Sequence, residues 1–503
     1  MVSIIEILFA FTIIATLQQL AQIIWTLYFH PLHAIPGPKS WIAFPILRYT
    51  SLVRGHLDTQ LREFHDIYGE AVRFGPTEVS FTTAQAWKDI YGHNHGNQLP
   101  KVLQSTSNTS DIFGANDADH SRLRRSLAHA FSTRGLQAQE PTLLRYTDKL
   151  IDGLTKIASS SPTATADMVK WYNLATFDLI GDLAFGEPFG GLDSSEYHPW
   201  VSTIFQAVRG IAFVRFKDAY PLLFKVLALF YTPKHLLEAR KRQIEYSSKL
   251  IQKRLSSTER RGVGDFTESM LHHRDEADRD KSQALTDREI EGNANLLIIA
   301  GSETTATLLS GVTYWILRTP EVKRKVVQEV RSVIQAASDV NFQTTSPVNL
   351  PYMCACLTEA LRIYPPAPVG SQRYAKSSNG MQISGYMIPP ETRVWVHQFA
   401  AYHSPRNFHN PEQFIPERWL PETQADPSSP FYNDNREVLQ PFSVGPRNCI
   451  GRNLANSEMR VILARILWHF DLELCVESAD WEKQRSYLLW EKRPLMCGLK
   501  MRG

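Results

Sequence analysis

The strongest chemical signal in the sequence is a short loop that presents one cysteine, Cys449, with no histidine or second cysteine beside it. The loop reads Phe-Ser-Val-Gly-Pro-Arg-Asn-Cys-Ile-Gly, and its characteristic positions are Phe442, Gly445, Arg447, Cys449 and Gly451. Glycines permit close backbone approach and unusual φ values, so that backbone N–H groups could point at the sulfur. The apolar run from Leu454 onward predicts a helix whose N-terminus would stabilise a thiolate. A lone thiolate is wrong for zinc and suits the axial ligand of a haem iron.

An acid and a hydroxyl, Glu303 and Thr304, stand together inside an otherwise apolar stretch. Upstream, Thr286 and Glu289 are spaced as a capping box, which predicts the start of a helix of about 32 residues, roughly 48 Å long. Gly301 inside this helix would let a flat ligand approach the backbone. Alone, the pair is typical of two hydrogen-bonded side chains in a core helix. Together with the cysteine loop, it favours delivery of protons to oxygen bound at a haem.

Two further segments carry charged residues at fixed spacing. Glu359 and Arg362 lie three apart on a predicted helix, so they share a face and could pair. By spacing alone this would be a solvated surface salt bridge, which contributes little to stability. A Pro-Glu-Arg-Trp segment at residues 416–419 supplies Arg418.

These segments together resemble the cytochrome P-450 superfamily of haem-thiolate monooxygenases. The family's Glu-x-x-Arg motif lies at residues 359–362, its Pro-Glu-Arg-Trp motif at 416–419 and its oxygen-activation motif at 300–305. The resemblance covers the chain from the Pro-Gly-Pro segment at 36–38 to the end. It implies the cytochrome P-450 fold, which is mainly α with a small β-sheet region. It also implies haem b with an axial cysteine thiolate as the cofactor.

The resemblance implies roles for individual residues. Cys449 would ligate iron in the loop that contains Phe442, Gly445 and Gly451. The haem propionates would contact Arg124, Arg373, Arg447 and, less securely, His120, which stands where the family usually has tryptophan. Protons would pass through Glu303 and Thr304, and a buried structural triad would join Glu359, Arg362 and Arg418. The substrate pocket candidates are Ile112, Phe113, Leu297, Ala300, Ala367, Val369 and Leu488. Arg122 and Arg125 could face solvent and meet an acidic redox partner, or simply be solvated.

The N-terminal stretch from Ile4 to Phe29 is apolar and long enough to span a bilayer as a helix. No basic segment precedes it and no small-residue cleavage site is evident, which favours an anchor over a signal peptide or a buried helix. Glu6 lies near the start of the stretch and basic residues follow it, so the positive-inside rule places the large C-terminal part in the cytosol. We expect residues 1–30 to be a single-pass anchor in the endoplasmic reticulum membrane and residues 31–503 to be the haem-thiolate monooxygenase domain.

Composition limits the other classes of protein. Of 503 residues, 43% are hydrophobic and 21% charged, which is ordinary for a globular protein. The net charge of +3 gives no support to nucleic-acid binding. Five cysteines do not make a disulfide framework, and a reducing compartment is expected. The cysteines other than Cys449 are interpreted as small buried hydrophobic residues: Cys354, Cys356, Cys475 and Cys497.

Secondary-structure patterns agree with a large helical domain. Helical periodicity dominates from about Asp119 to Ala337. Short β-like segments are predicted at residues 71–74, 78–81, 382–384 and 393–396.

The expected reaction inserts one oxygen atom from O₂ into a hydrophobic organic substrate and releases the other as water. About 50 residues follow Cys449, too few for a flavin domain, so the resemblance implies a separate NADPH–cytochrome P-450 reductase, through which alone NADPH would act. Two alternatives remain. One is a haem-thiolate isomerase or dehydratase that does not use O₂, against which the Glu303–Thr304 pair argues. The other is a non-catalytic haem-binding protein, for which the sequence offers no distal ligand.

Several segments narrow the branch of the family. They start at Tyr28, Arg73, Ala86 and His120 and resemble those of filamentous-fungal members, similar to trichothecene-pathway hydroxylases. Many such enzymes modify terpenoid or polyketide secondary metabolites. The resemblance does not identify the substrate.

Overall fold

A computed structural model describes residues 4–93, 98–103, 109–230, 234–256, 265–275, 284–376 and 379–502. The chain divides into two compact units, each built from separate stretches of sequence. The first unit comprises Met1–Val102, Val369–Asn407 and Asn435–Arg447. The second unit comprises Leu103–Pro368, Phe408–Asp434 and Asn448–Gly503.

Helices dominate the described residues, as predicted. In chain order they are α1 Ile4–Tyr28, α2 Lys39–Ala43, α3 Ile46–Arg54, α4 Leu57–Tyr68, α5 Ala84–Tyr91, α6 Asp117–Ala128, α7 Thr133–Ala158, α8 Met168–Phe185, α9 Gly191–Ser194, α10 Pro199–Ala219, α11 Pro221–Phe230, α12 Lys234–Ser256, α13 Phe266–Asp275, α14 Asp287–Arg318, α15 Pro320–Val333, α16 Pro351–Ile363, α17 Gln398–Tyr402, α18 Pro421–Ala425 and α19 Arg452–His469. Short 3₁₀ turns lie at Ala337–Asp339, Pro416–Trp419, Arg436–Val438 and Val476–Ser478.

The strands are short and form three small sheets. They are β1 Ala71–Gly75, β2 Glu78–Phe81, β3 Thr165–Asp167, β4 Arg373–Tyr374, β5 Met381–Ile383, β6 Tyr386–Ile388, β7 Arg393–Val396, β8 Phe470–Leu474 and β9 Met496–Met501. The first unit holds a four-stranded sheet in the order β1-β2-β7-β4 and the hairpin β5-β6. The second unit holds the sheet β3-β9-β8. The mainly helical fold with a small β-sheet region is confirmed.

The core of the second unit forms where α8 packs along α14. Every residue of α8 except Lys170 is buried, so this helix is apolar on all sides rather than on one stripe. The predicted capping box at the start of α14 is confirmed, because Thr286 Oγ1 accepts from the Glu289 N–H (3.2 Å) and the Glu289 carboxylate accepts from the Thr286 N–H (2.9 Å). This helix places Glu303 and Thr304 in the middle of the unit.

Gly301 has a packing role that the sequence did not indicate. A Cβ at this position would lie 3.1 Å from Cδ1 of Ile180 on α8. A side chain at this position would therefore press against Ile180, and the expected approach of a flat ligand to this stretch of backbone stays a prediction.

The Pro-Gly-Pro segment in the first unit is tied to the edge of its sheet. The Arg73 N–H donates to the Pro36 carbonyl at 2.8 Å. A Cβ on Gly37 would lie only 1.7 Å from the Arg73 carbonyl oxygen, so only glycine fits this approach. The Arg73 guanidinium donates to the carbonyl of Thr26 at 3.0 Å and so fixes the last turn of α1.

Within the described residues, two helices are long and apolar enough to cross a membrane. The apolar window of α14 is 72% buried, as expected for a core helix. The window of α1 is 0% buried and lies near the N-terminus. The predicted N-terminal helix is therefore present, and its apolar surface is not used by the fold.

Candidate active site

The cysteine loop joins the two units in sequence, since residues 442–447 belong to the first unit and residues 448–451 to the second. Its two glycines serve different purposes. Gly445 has a φ of 76°, and a Cβ there would lie 1.8 Å from the carbonyl oxygen of Tyr91. Gly451 has a φ of −84°, which any residue adopts, so the expectation of an unusual φ is wrong for this glycine. A Cβ there would make ordinary contacts, with Phe131 Cε1 at 3.6 Å and Cys449 Sγ at 4.0 Å.

Cys449 is exposed as a residue, although protein atoms surround most of its thiol group. The pKa of Cys449 is raised, because burial outweighs the lowering effects of the N–H groups of Gly451 and Arg452 and of the positive charges of Arg124 and Arg452. Both N–H groups belong to the start of α19, for which Gly451 is the N-cap. The start of the helix therefore provides the donors that would stabilise a thiolate, as the sequence predicted.

Arg124 on α6 braces the residue that precedes the cysteine. Its Nη1 donates to the carbonyl of Asn448 at 2.7 Å, and its Nη2 donates to Asn448 Oδ1 at 2.6 Å. His120, one turn earlier on α6, is buried. Asn448 was not predicted, because an asparagine in a loop carries no signal of its own.

The first unit contains the other two predicted arginine contacts. Arg373 on β4 is buried, donates to Ser371 Oγ at 2.6 Å and lies over the ring of Tyr91. Arg447 donates through Nε to Gln98 Oε1 at 2.9 Å. Phe442 is half-buried.

The prediction that the other four cysteines are buried is confirmed for two of them and wrong for two. Cys356 and Cys497 are buried, and Cys354 and Cys475 are half-buried. Burial raises the pKa of all four thiols. Of the five cysteines, all of which lie in the described residues, only Cys449 is exposed.

Glu303 and Thr304 are neighbours in sequence but find different partners. Glu303 is buried, and its Oε1 forms an ion pair with Lys492. Thr304 is partly exposed and donates to the Ala300 carbonyl one turn back at 2.6 Å. Consecutive residues lie about 100° apart around a helix, so the two side chains leave α14 in different directions.

Among the pocket candidates in the second unit, Ala300 marks an exposed face of helix α14. Ala300 is exposed although it lies in the middle of a core helix, whereas Leu297, one turn earlier, is buried. Ile112 is held against α14 because its N–H donates to Asn293 Oδ1 at 2.9 Å. Phe113 is 54% exposed.

Leu488 lies at the tip of a tight turn with a φ of 91°, which is strained for leucine. The turn is closed by the bridge between Ser486 and Trp490. Ala367, half-buried, follows Pro365, whose carbonyl accepts from Trp490 Nε1 at 2.7 Å. Val369 is half-buried in the first unit. That these residues line one pocket stays a prediction.

The structure brings Glu359, Arg362 and Arg418 together, each with a fully buried side chain. Glu359 accepts from Arg362 at 2.7 and 2.9 Å and from Arg418 Nε at 3.2 Å. A fourth member is Asp434, which pairs with Arg418 and is also buried. The cluster therefore holds two positive and two negative charges. Asp434 was missed because it lies outside both sequence motifs.

Comparison with known proteins identifies the family. The sequence matches the family described as Cytochrome P-450 over residues 35–498. The chain belongs to the cytochrome P-450 family. It is 56% identical over 479 residues to cytochrome P-450 monooxygenase olcB of Penicillium canescens, with 95% of each chain covered. It is 52% identical over 478 residues to trichothecene C-4 hydroxylase of Trichoderma arundinaceum, with 95% of this chain and 94% of the relative covered. Like these relatives, this cytochrome P-450 is an oxidoreductase.

The family implies a haem-thiolate cofactor, and the residues of this cytochrome P-450 fit it. One accessible cysteine with backbone donors beside it could supply the single protein ligand that a haem iron needs, since the porphyrin would supply the other protein-independent ligands. Among the residues that the structure describes, no group of three or more His, Cys, Asp or Glu side chains could hold a metal ion by itself.

Two buried groups next to the predicted proton pair in this cytochrome P-450 were not predicted from sequence. Lys492 pairs with Glu303, and Glu458 on α19 forms a hydrogen bond with Thr305. Glu458 is buried, and burial raises its pKa to about 8. Both contacts join segments that are far apart in the chain, so no local spacing indicates them.

One sequence expectation about the surface is wrong. Arg122 does not point freely into solvent for a redox partner, because its guanidinium pairs with Glu289 and with Asp119 (2.9 Å). Its side chain is 15% exposed. The contact ties α6 to the start of α14.

Proposed function

We propose that this cytochrome P-450 is a membrane-anchored haem-thiolate monooxygenase of fungal secondary metabolism. The domain is residues 31–503, and the anchor is residues 1–30. The observation that carries the proposal is the exposed Cys449 thiol, with the N–H groups of the first turn of α19 beside it.

Cys449 is the proposed iron ligand of haem b. Arg124, Arg373 and Arg447 are the proposed partners of the propionates, because the guanidinium fork suits carboxylates. His120 is the weaker candidate, as it replaces the usual tryptophan. Gly451 leaves space next to the sulfur, with Phe131 Cε1 3.6 Å from its Cβ position. A bulky residue there would crowd the ligand.

When bound, the haem would activate O₂ and supply the oxygen atom that enters the substrate. The chain's own residues would handle protons. The Thr304 hydroxyl donates to Ala300, so its oxygen can still accept a hydrogen bond from a water on the open face of α14. Glu303 would exchange protons from the interior side of the same turn. Thr304 and Glu303 are given different roles because their side chains leave α14 in different directions.

The substrate is proposed to be a hydrophobic terpenoid or polyketide. The pocket candidates are apolar, as expected for a site that takes such a molecule. The names of two relatives are consistent with oxidative tailoring, one as a monooxygenase and one as a trichothecene hydroxylase.

Electrons are proposed to come from a separate NADPH–cytochrome P-450 reductase on the same membrane. Helix α1 supports the membrane location, because its apolar surface is exposed. We place the chain in the endoplasmic reticulum membrane as a single-pass protein with its catalytic domain in the cytosol.

The proposal is tested by expressing the full chain with a reductase and supplying extract from a producing fungus. We expect a new product that carries one atom from heavy-isotope O₂ and that forms only with NADPH. Product formed without NADPH and O₂ would contradict the proposal and support an isomerase.

A further inference from the structure

The ion pair behind the proton pair offers a further inference. Lys492 and Glu303 each have a side chain that is 3% exposed. The Lys492 ammonium also donates to Thr307 Oγ1 at 2.7 Å. Glu303 and Thr307 are four residues apart, so one lysine spans a full turn of α14. The same turn carries Thr304.

The position of Lys492 is unfavourable unless Glu303 is charged. Burial lowers the pKa of Lys492, and the Glu303 carboxylate raises it. Removing one partner of such a pair leaves an uncompensated buried charge, which a protein avoids by protonating or deprotonating the remaining group. The charge states of the two groups are therefore linked.

The other titratable groups around Glu303 do not neutralise it. Burial and the negative charge of Glu303 both raise the pKa values of Tyr364 and Tyr197, so both side chains remain neutral phenols. Glu458 forms a hydrogen bond with Thr305, two residues beyond Glu303 on the same helix. Among the described residues, Lys492 is the cation that pairs with Glu303.

One oxygen of Glu303 remains available for exchange. Its Oε1 faces Lys492, whereas its Oε2 is buried and accepts no hydrogen bond within the described part of the chain. A carboxylate held by one oxygen keeps the second oxygen as an acceptor for a proton. The lysine therefore holds Oε1 and leaves Oε2 as the oxygen with a free acceptor position.

Lys492 also shares a segment with a pocket candidate. It follows Leu488 by four residues, just beyond the turn that the Ser486–Trp490 bridge closes. The ring of Trp490 stacks on Tyr364, and its Nε1 donates to Pro365. The lysine is thus presented from a fixed turn and not from a loose C-terminal tail.

We propose that Lys492 is a positioning residue for Glu303, because its buried ammonium holds Oε1 of the carboxylate on the helix turn that also carries Thr304. The proposal rests on the proposed function for the use of that carboxylate in proton transfer. The ion pair of Lys492 and Glu303 does not itself depend on the reaction.

The main test is an infrared measurement on the purified holoprotein. Glu458, whose pKa is raised to about 8, should give a protonated-carboxyl band at neutral pH in every variant. Lys492→Met removes the charge at similar volume, and we expect an additional protonated-carboxyl band in the difference spectrum against wild type. The additional band should be absent in Lys492→Arg and in the double variant Lys492→Met/Glu303→Gln. Lys170→Met is the matched control, because Lys170 pairs with the exposed Glu196 and should give no additional band.

A second readout follows the electrons. The fraction of NADPH electrons recovered as hydrogen peroxide is measured against pH in the presence of reductase. We expect Lys492→Met to shift this profile toward alkaline pH and Lys492→Arg to restore it. No additional carboxyl band together with an unchanged pH profile would overturn the proposal. If wild type makes no NADPH-dependent product, the proposed function fails, while the infrared arm still decides the ion pair.

Loss of folding is also informative. If Lys492→Met loses haem, the double variant should regain it, since removing both charges is tolerated better than removing one. A double variant no better than the single variant would overturn the proposal.

Discussion

Replacing Glu359 by glutamine should destabilise the protein strongly, although the two side chains have nearly the same shape. Five donors converge on the carboxylate: Nε and Nη2 of Arg362, Nε of Arg418, the N–H of Ile415 and Nε1 of Trp419. A carboxylate only accepts hydrogen bonds, whereas a glutamine amide carries two donors of its own. No orientation of the amide can satisfy all five.

The charge balance gives the magnitude. Arg362 and Arg418 are balanced by Glu359 and Asp434, and all of these side chains are at most 2% exposed. Glutamine at 359 leaves a net positive charge in the interior. Breaking a buried pair in this way costs about 3–5 kcal/mol.

The assay is urea unfolding followed by tryptophan fluorescence and far-UV circular dichroism, with haem content measured in parallel. The chain offers a matched control in Glu321 and Arg324 on α15, which have the same i,i+3 spacing and are each 60% exposed. Glu321→Gln should leave the unfolding midpoint unchanged. If Glu359→Gln unfolds at the same urea concentration as this control and wild type, the reasoning about the cluster is refuted.

Three further outcomes are expected. Thr304→Ala should keep the haem spectrum and most of the NADPH consumption but lower the ratio of product to NADPH and raise hydrogen peroxide; an unchanged ratio would return Thr304 to a packing role. Burial raises the pKa of Glu458 from its ordinary 4.5 to about 8, so between these pH values the folded protein keeps a proton that the unfolded chain loses. The free energy of unfolding should therefore fall by up to about 5 kcal/mol as the pH rises from 4.5 to about 8. Glu458→Gln should flatten the curve of unfolding temperature against pH, and parallel curves would contradict this assignment. Removing residues 1–30 should move the protein from the membrane pellet to the supernatant with its haem retained, whereas loss of haem would show that this segment belongs to the fold.

Local signals predicted the parts of the site that depend on neighbouring residues. The capping box of Thr286 and Glu289 fixed the start of α14, because both groups lie within one turn. The cysteine loop was recognisable since its glycines, arginine and cysteine lie within ten residues. Helix α19 then follows directly and supplies the N–H groups.

Contacts between distant segments of the chain could not be predicted from the sequence. Lys492 meets Glu303 across 189 positions, and neither spacing nor periodicity links them. Asp434 joins Arg418 from outside the Pro-Glu-Arg-Trp motif. The packing of Gly301 against Ile180 was not predicted, because the pattern of one helix does not reveal which helix packs against it.

Some strands were missed for a related reason. Strand β8 alternates apolar and acidic residues but begins directly at the end of α19, so its pattern merges with that of the helix. Strand β9 is defined by pairing with β8, from Phe470↔Met501 to Leu474↔Cys497. Pairing of this kind is a property of the folded chain.

The most direct test of the central claim is the carbon monoxide spectrum of the reduced protein. Thiolate ligation gives a strongly red-shifted band, so wild type and Cys356→Ala should both show it. Cys449→Ala should lose the band, because Cys449 is the proposed ligand. Retention of the red-shifted band in Cys449→Ala would contradict the assignment of this thiolate and the account built on it.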